Sequence, residues 1–140
     1  MKTRGFVIIV VALTVLLSAQ FVNTSAPEYT SRLITPTAGQ VLYPGQTVKV
    51  EWKSVLPKVR YMESCEMEVR LSLDGGNTYL YRISPFLEAK ARSFYWTVPN
   101  LPTNEAVMDV RFGCEPFFPE SSAPQPASMF VIANRSPGLN

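Results

Sequence analysis

The residues best suited to covalent chemistry are the two cysteines, Cys65 and Cys114. A redox role requires closely spaced cysteines beside an activating charge, and the sequence has no such pattern. The apolar N-terminus predicts export to an oxidising compartment, where paired cysteines form disulfides. We therefore predict a structural Cys65–Cys114 disulfide, which would remove unfolded-chain entropy equivalent to roughly 4 kcal/mol. Two buried free thiols are the alternative.

A second candidate is the segment from Ser72 to Tyr79, Ser-Leu-Asp-Gly-Gly-Asn-Thr-Tyr. The spacing of Ser72, Asp74, Gly76 and Tyr79 resembles the Asp-box, a hairpin-stapling turn of sialidase propellers and unrelated β-domains. One copy is too few for a propeller. We interpret it as a structural turn in which Asp74 accepts backbone hydrogen bonds. Calcium at Asp74 or Glu63 is the alternative, but the spaced ligands of a calcium loop are missing, so we predict no metal.

Basic and aromatic residues near the two cysteines are candidates for a binding surface. They are Lys58, Arg60 and Tyr61 before the first cysteine, and Phe117 and Phe118 after the second. A disulfide would hold the bases of the two loops together, so we expect these side chains to share one end of the domain. Aromatic side chains on loops of a rigid scaffold suit a protein or glycan contact. Alternatively, the two phenylalanines fold back and fill that end.

The sequence offers little for catalysis. It has no histidine, the commonest general base and metal ligand, and no serine in a nucleophile-elbow pattern. Glu66 and Glu68 are better explained as the solvent face of a strand than as catalytic acids. We predict that the protein is not an enzyme and has no cofactor; a hydrolase is the alternative class.

These candidates have to be positioned by β-strands, because apolar and polar side chains alternate along residues 65–73. One face carries Cys65, Met67, Val69, Leu71 and Leu73, and the other carries Glu66, Glu68, Arg70 and Ser72. Residues 74–77, Asp-Gly-Gly-Asn, predict a tight hairpin turn into a partner strand.

The same alternation recurs between turn signals and predicts seven strands. They comprise residues 33–34, 47–53, 65–73, 78–83, 93–98, 106–114 and 128–133. Residues 55–64 and the Pro-rich stretch 115–127 are interpreted as loops. We predict an all-β fold, an antiparallel immunoglobulin- or fibronectin-III-like sandwich of about seven strands.

The cysteines also predict how the third and sixth strands pair. Placing Cys65 opposite Cys114 in an antiparallel pair sets the whole register. On the inner face it pairs Met67 with Phe112, Val69 with Val110, and Leu71 with Met108. On the outer face it pairs Glu68 with Arg111, and Arg70 with Asp109. These opposite-charge matches support the register, because a slip of one residue would bury charge.

Residues 1–20 are predicted to be a signal peptide. Lys2 and Arg4 precede the apolar run 6–17, and residues 18–20 offer a cleavage region. A retained anchor is the alternative, although the run is shorter than a spanning helix needs. We predict a disordered leader at residues 21–30, a domain at residues 31–133, a flexible tail at residues 134–140, and secretion of the mature chain.

The charge balance limits the class of partner. The chain has 13 basic and 11 acidic residues, and loss of Lys2 and Arg4 with the signal peptide leaves 11 of each. A neutral domain lacks the basic excess of proteins that bind nucleic acid or anionic membranes. We predict no nucleic-acid partner and, after cleavage, no membrane contact. An extracellular protein or polysaccharide is the expected partner.

Several segments together resemble a secreted immunoglobulin-like domain. They are residues 33–36 (Leu-Ile-Thr-Pro), 44–48 (Pro-Gly-Gln-Thr-Val), 50–52 (Val-Glu-Trp), 69–79, 94–99 and 130–132. The pattern is similar to the N-terminal domain of the fungal cell-wall glucan-synthesis and Ser/Thr-rich anchored protein family, and to bacterial extracellular repeats. The resemblance implies a non-catalytic β-sandwich that is secreted or displayed at the cell surface.

Two roles fit this interpretation. The domain binds a protein or glycan through the loops near Tyr61 and Phe117, or it is a structural or accessory component of cell-envelope or cell-wall assembly.

Overall fold

The computed structural model describes residues 28–135 and residue 138, and the predicted all-β fold is confirmed. Ten strands follow one another along the described part of the chain. They are β1 (Thr30–Thr35), β2 (Val41–Leu42), β3 (Thr47–Val55), β4 (Glu66–Ser72), β5 (Tyr81–Arg82), β6 (Leu87–Glu88), β7 (Ser93–Thr97), β8 (Thr103–Cys114), β9 (Phe118–Pro124) and β10 (Phe130–Ile132). Single 3-10 turns lie at Met62–Ser64 and Pro126–Ser128.

The predicted signal peptide and most of the predicted leader lie outside the described residues, as does part of the predicted tail. Within the described part of the chain, no helix is long and apolar enough to cross a bilayer.

The strands form two sheets that share one core. β1, β3 and β7 make a three-stranded antiparallel sheet, and the larger sheet has the order β2-β10-β8-β4-β5, with β9 beside β8 and β6 beside β4. Both sheets contribute to the buried cluster, whose largest members include Trp52, Phe112 and Phe130. Apolar side chains alternate in β3 and β4, so each sheet presents one apolar face to the other. The immunoglobulin-like order of the strands stays a prediction.

Tyr29 extends the domain beyond its predicted N-terminal boundary. Its side chain is buried, its ring stacks on Phe112 with 5.4 Å between centroids, and its hydroxyl donates to the Val110 carbonyl at 3.0 Å. Burial raises the pKa of the Tyr29 hydroxyl to about 12. The ordered domain therefore starts before residue 31, and β1 starts at Thr30 rather than at residue 33.

β4 and β8 pair in the register that the cysteines predict, and the disulfide between Cys65 and Cys114 is present. The pairs are Met67–Phe112, Glu68–Arg111, Val69–Val110, Arg70–Asp109 and Leu71–Met108. Since the Cα atoms of the two cysteines are 4.1 Å apart, the loops before β4 and after β8 start at neighbouring points.

The outer face of the β4–β8 pair is much less exposed than the sequence predicts. Glu68 is 7% exposed, and Ser72 and Asp109 are fully buried. Asp109 pairs with Arg111 at 2.6 Å and accepts from the Ala123 N–H of β9 at 2.8 Å. The expectation that Glu68 and Ser72 face solvent is wrong, because these polar groups have internal partners that offset the cost of burying them.

Two further segments differ from the prediction. The partner strand expected at residues 78–83 is reduced to Tyr81–Arg82, because the preceding residues make the hydrogen bonds of a longer turn. The stretch 115–127 is not a loop throughout, since Phe118–Pro124 pairs with β8 as β9. Proline removes a donor and argues against a central strand, but an edge strand such as β9 tolerates it.

Candidate functional site

The structure brings two of the predicted binding residues into contact across the disulfide. The rings of Tyr61 and Phe117 lie 4.9 Å apart between centroids and are tilted by 48°. The Arg60 guanidinium lies 5.4 Å from the centroid of the Tyr61 ring, within the range of a cation–π contact. We call Arg60, Tyr61 and Phe117 the aromatic rim.

The aromatic rim is accessible to solvent. Tyr61 is 39% exposed and Phe117 is 51% exposed, and Arg60 and Lys58 are also exposed. Tyr61 lies just before the short turn that leads into β4, and Phe117 lies just before β9, so each ring is carried on a loop next to a disulfide-bonded strand end. The side chains therefore project from a constrained base.

Phe118 belongs to the core rather than to the aromatic rim. Its ring lies 5.6 Å from that of Phe112, and it packs against the buried cluster. β9 begins at Phe118, which packs against the core, whereas Phe117 lies before the strand and is 51% exposed. Phe117 therefore fits the predicted binding surface, and Phe118 fits the alternative in which a phenylalanine folds back and fills the end of the domain.

A charged cleft of about 240 Å³ lies beside the disulfide on the outer face of the β4–β8 pair. Its lining includes Glu66, Glu115 and Glu120, together with Phe86 and Arg111. The Arg111 guanidinium is held by Glu120 at 2.7 Å and by Asp109 on its own strand. The cleft therefore presents carboxylate oxygens beside the disulfide, a surface suited to hydroxyl or N–H donors.

The four charges on the outer face pair along each strand rather than across the strands. Arg70 binds Glu68 at 2.6 Å, and Arg111 binds Asp109 at 2.6 Å. The predicted cross-strand positions are correct, but the closest contacts join residues two apart in sequence. Since Asp109 is buried, its pairing with Arg111 is an internal structural contact and leaves this carboxylate unavailable to a ligand.

A larger cleft, of about 670 Å³, lies along β1 and β3 and contains none of the predicted binding residues. Its aromatic wall residue, Trp52, is 1% exposed. The cleft therefore offers a ligand no aromatic surface comparable to the aromatic rim.

The segment from Ser72 to Tyr79, here called the Asp74 turn, is closed by its own hydrogen bonds. The Asp74 carboxylate accepts from the Ser72 hydroxyl (2.6 Å), the Thr78 hydroxyl (2.6 Å) and the Thr78 N–H (2.9 Å). The Ser72 hydroxyl oxygen accepts from the Gly76 N–H at 2.9 Å. The hydroxyl and backbone donors favour the ionised form, and they lower the pKa of Asp74 to about 2.

Glycine is required at one position of the Asp74 turn. Gly76 has φ +92°, and a Cβ atom there would lie 2.9 Å from the Tyr79 hydroxyl. The Asp74 oxygens are already used by the turn, and among residues 28–135 no group of three or more His, Cys, Asp or Glu side chains is arranged to hold a metal ion. The geometry supports a structural turn.

One residue that positions the fold was missed by the sequence analysis. The Gln125 side chain accepts from the Leu33 N–H at 2.8 Å and donates to the Ser31 carbonyl at 2.9 Å. A side-chain amide thus pairs with the edge of β1 as a neighbouring strand would. No periodic pattern marks Gln125, because it follows β9 in a stretch that contains several prolines.

The chain matches no protein-family model, no curated protein and no solved structure. Its resemblance to secreted immunoglobulin-like domains is therefore a prediction from the sequence alone.

Proposed function

We propose that this protein is a non-catalytic secreted or cell-surface module that binds an extracellular protein or glycan through the aromatic rim. The observation that carries the proposal is the contact between Tyr61 and Phe117, two partly exposed rings from loops far apart in sequence. Aromatic residues and arginine are enriched at protein interfaces, and rigid aromatic side chains lose little conformational entropy on binding.

Three further features support this proposal. The disulfide suits an oxidising compartment, in agreement with the predicted signal peptide. The Cys65–Cys114 bond limits the motion of both loop bases, so less conformational freedom is lost on binding. The cleft beside the disulfide supplies Glu66 and Glu115 as acceptors for the hydroxyl groups of a sugar or the N–H groups of a protein.

The proposal is tested by retention of the exported, oxidised protein on the envelope fraction of the producing cell. Tyr61→Ala and Phe117→Ala are expected to weaken retention about ten-fold each, as expected for side chains at the centre of a contact. Treating the fraction with protease or with periodate then separates a protein partner from a glycan partner.

Tyr81→Ala is the matched control. Tyr81 is 39% exposed, as Tyr61 is, and it lies on β5 opposite Leu71, outside both the aromatic rim and the charged cleft. Retention of the Tyr81 variant should equal that of the unaltered protein. If the Tyr61 and Phe117 variants also bind normally, the aromatic rim is not the contact, and bulk association with the envelope favours the structural role.

A further inference from the structure

β7 is the edge strand of the smaller sheet, and the bonds at its two ends show which residues face β3. The Arg92 carbonyl accepts from the Trp52 N–H at 3.0 Å, and the Val98 N–H donates to the Gln46 carbonyl at 2.9 Å. In an antiparallel ladder, residues that bond to one neighbour alternate with residues that do not. The even-numbered residues between Arg92 and Val98 therefore also face β3.

The odd-numbered residues Ser93, Tyr95 and Thr97 direct their N–H and C=O groups away from β3. No other strand in the described part of the chain pairs with this edge of β7. Tyr95, at its centre, has a side chain that is 75% exposed. The edge thus carries alternating backbone donors and acceptors that another extended strand can bond.

The other exposed edges of the two sheets are protected against such pairing. The Gln125 amide occupies the edge of β1, β9 contains Pro119 and Pro124, and β2 and β5 are only two residues long. Proline, charge and short length are the usual means by which edge strands avoid association. β7 reads Ser-Phe-Tyr-Trp-Thr and has none of them.

We propose that β7 pairs with β7 of a second copy of this chain about a two-fold axis at Tyr95. In the antiparallel pair, Tyr95 lies opposite its own counterpart, and Ser93 lies opposite Thr97 of the other copy. Each of these odd-numbered residues then exchanges both backbone bonds with its partner, so β1, β3 and β7 of the two copies form one continuous sheet.

A second copy suits this edge better than an unrelated strand for two reasons. The bonding groups are symmetric about Tyr95, so β7 is its own complement, as a two-fold interface requires. The outward residues Ser93, Tyr95 and Thr97 carry no charge, and the chain without its predicted signal peptide has zero net charge, so copies do not repel. The two Tyr95 rings would form a cross-strand aromatic pair.

The interface is small, so the dimer is expected to be weak and dependent on concentration. Sedimentation velocity of the oxidised mature protein, from about 10 µM to about 1 mM, should show conversion of monomer to dimer. Tyr95→Pro removes the central outward N–H without touching a bond to β3, and it should weaken dimerisation at least about ten-fold. Tyr95→Thr keeps the N–H and should dimerise more strongly than the proline variant.

Hydrogen exchange tests the same pairing in the unaltered chain and does not depend on the folding of a variant. The amides of Phe94 and Trp96 should be protected at every concentration, because they bond β3. The amides of Ser93, Tyr95 and Thr97 should gain protection only as concentration rises. A monomer at every concentration, or a dimer without this alternation, would overturn the proposal, even if an added peptide bound the edge.

Discussion

The two ends of the β4–β8 pair are built from opposite kinds of contact. At the Asp74 turn, the Ser72 hydroxyl, the Asp74 carboxylate and the Thr78 hydroxyl bond one another and the backbone. At the disulfide end, the rings of Tyr61 and Phe117 touch each other but remain partly exposed. At the Asp74 turn the polar side chains bond one another and the backbone, whereas the disulfide end exposes aromatic side chains to solvent.

The contrast distinguishes a residue that contributes to stability from a residue that is available to bind a partner. The Asp74 turn matches a motif and has a strongly lowered pKa, features that often mark active sites. Its oxygens are nevertheless occupied by donors from within the turn. The aromatic rim matches no motif, yet it has the exposure and the constrained base that a binding surface needs.

The largest effect is expected from removal of the disulfide. Replacing Cys65 and Cys114 together by Ala should lower the free energy of unfolding by about 4 kcal/mol, because the bond closes a long loop in the unfolded chain. Chemical denaturation measures this loss. A loss below about 1 kcal/mol would show that the sheet holds the loop bases together without the covalent bond.

The neighbouring phenylalanines provide the sharpest test at the disulfide end. Phe118→Ala should cost about 2 kcal/mol of stability, because it leaves a cavity beside Phe112, and Phe117→Ala should cost less than about 1 kcal/mol. Denaturation of both variants under the same conditions gives the comparison. Equal losses would mean that both rings fill the end of the domain, which would contradict the aromatic rim as a binding surface.

At the other end, Ser72→Ala should destabilise the domain by about 1 to 2 kcal/mol. The hydroxyl is buried, and its removal leaves the Gly76 N–H without its acceptor. Ser122→Ala, at an exposed position of β9, is the matched control and should change stability by less than about 0.5 kcal/mol. Thermal or chemical unfolding that shows no difference between the two variants would refute a structural role for the Ser72 hydroxyl.

The smallest predicted effect is a dependence on acid pH at the Asp74 turn. The pKa of Asp74 is about 2 in the folded protein and 3.8 ordinarily, so its ionised form favours folding above about pH 4. This contribution should be lost as the pH falls from about 4 to about 2. The melting temperature of Asp74→Asn should vary less across that range than that of the unaltered protein.

Glu63→Gln, a change at an exposed carboxylate outside the Asp74 turn, is the control for this measurement. It should leave the acid dependence of the melting temperature unchanged. If Asp74→Asn retains the full dependence, the hydrogen bonds to its carboxylate do not stabilise the folded state.

The register of β4 and β8 was predictable because alternation and a covalent pair constrain the same two strands. Once Cys65 is opposite Cys114, every other partner follows from the period of two. The proximity of the loops that carry Tyr61 and Phe117 follows from the same bond.

The predictions from the sequence that were wrong depend on contacts between different segments of the chain. The Pro-rich stretch forms β9 because it pairs with the free edge of β8. Local residue propensities do not predict that pairing. Glu68 lies opposite Arg111 of β8 and is buried, whereas a period of two marks only the face on which a charge lies.

The all-β class, the alternation of faces, the pairing of the cysteines and the composition of the Asp74 turn could be predicted, because they depend on residue type and local spacing. It took the folded structure to show that Phe118 packs against the core while Phe117 is exposed, that Gln125 protects the edge of β1, and that no second strand of the described residues pairs with β7. Burial and edge pairing depend on which distant segment lies against a residue, and that information exists only once the chain has folded.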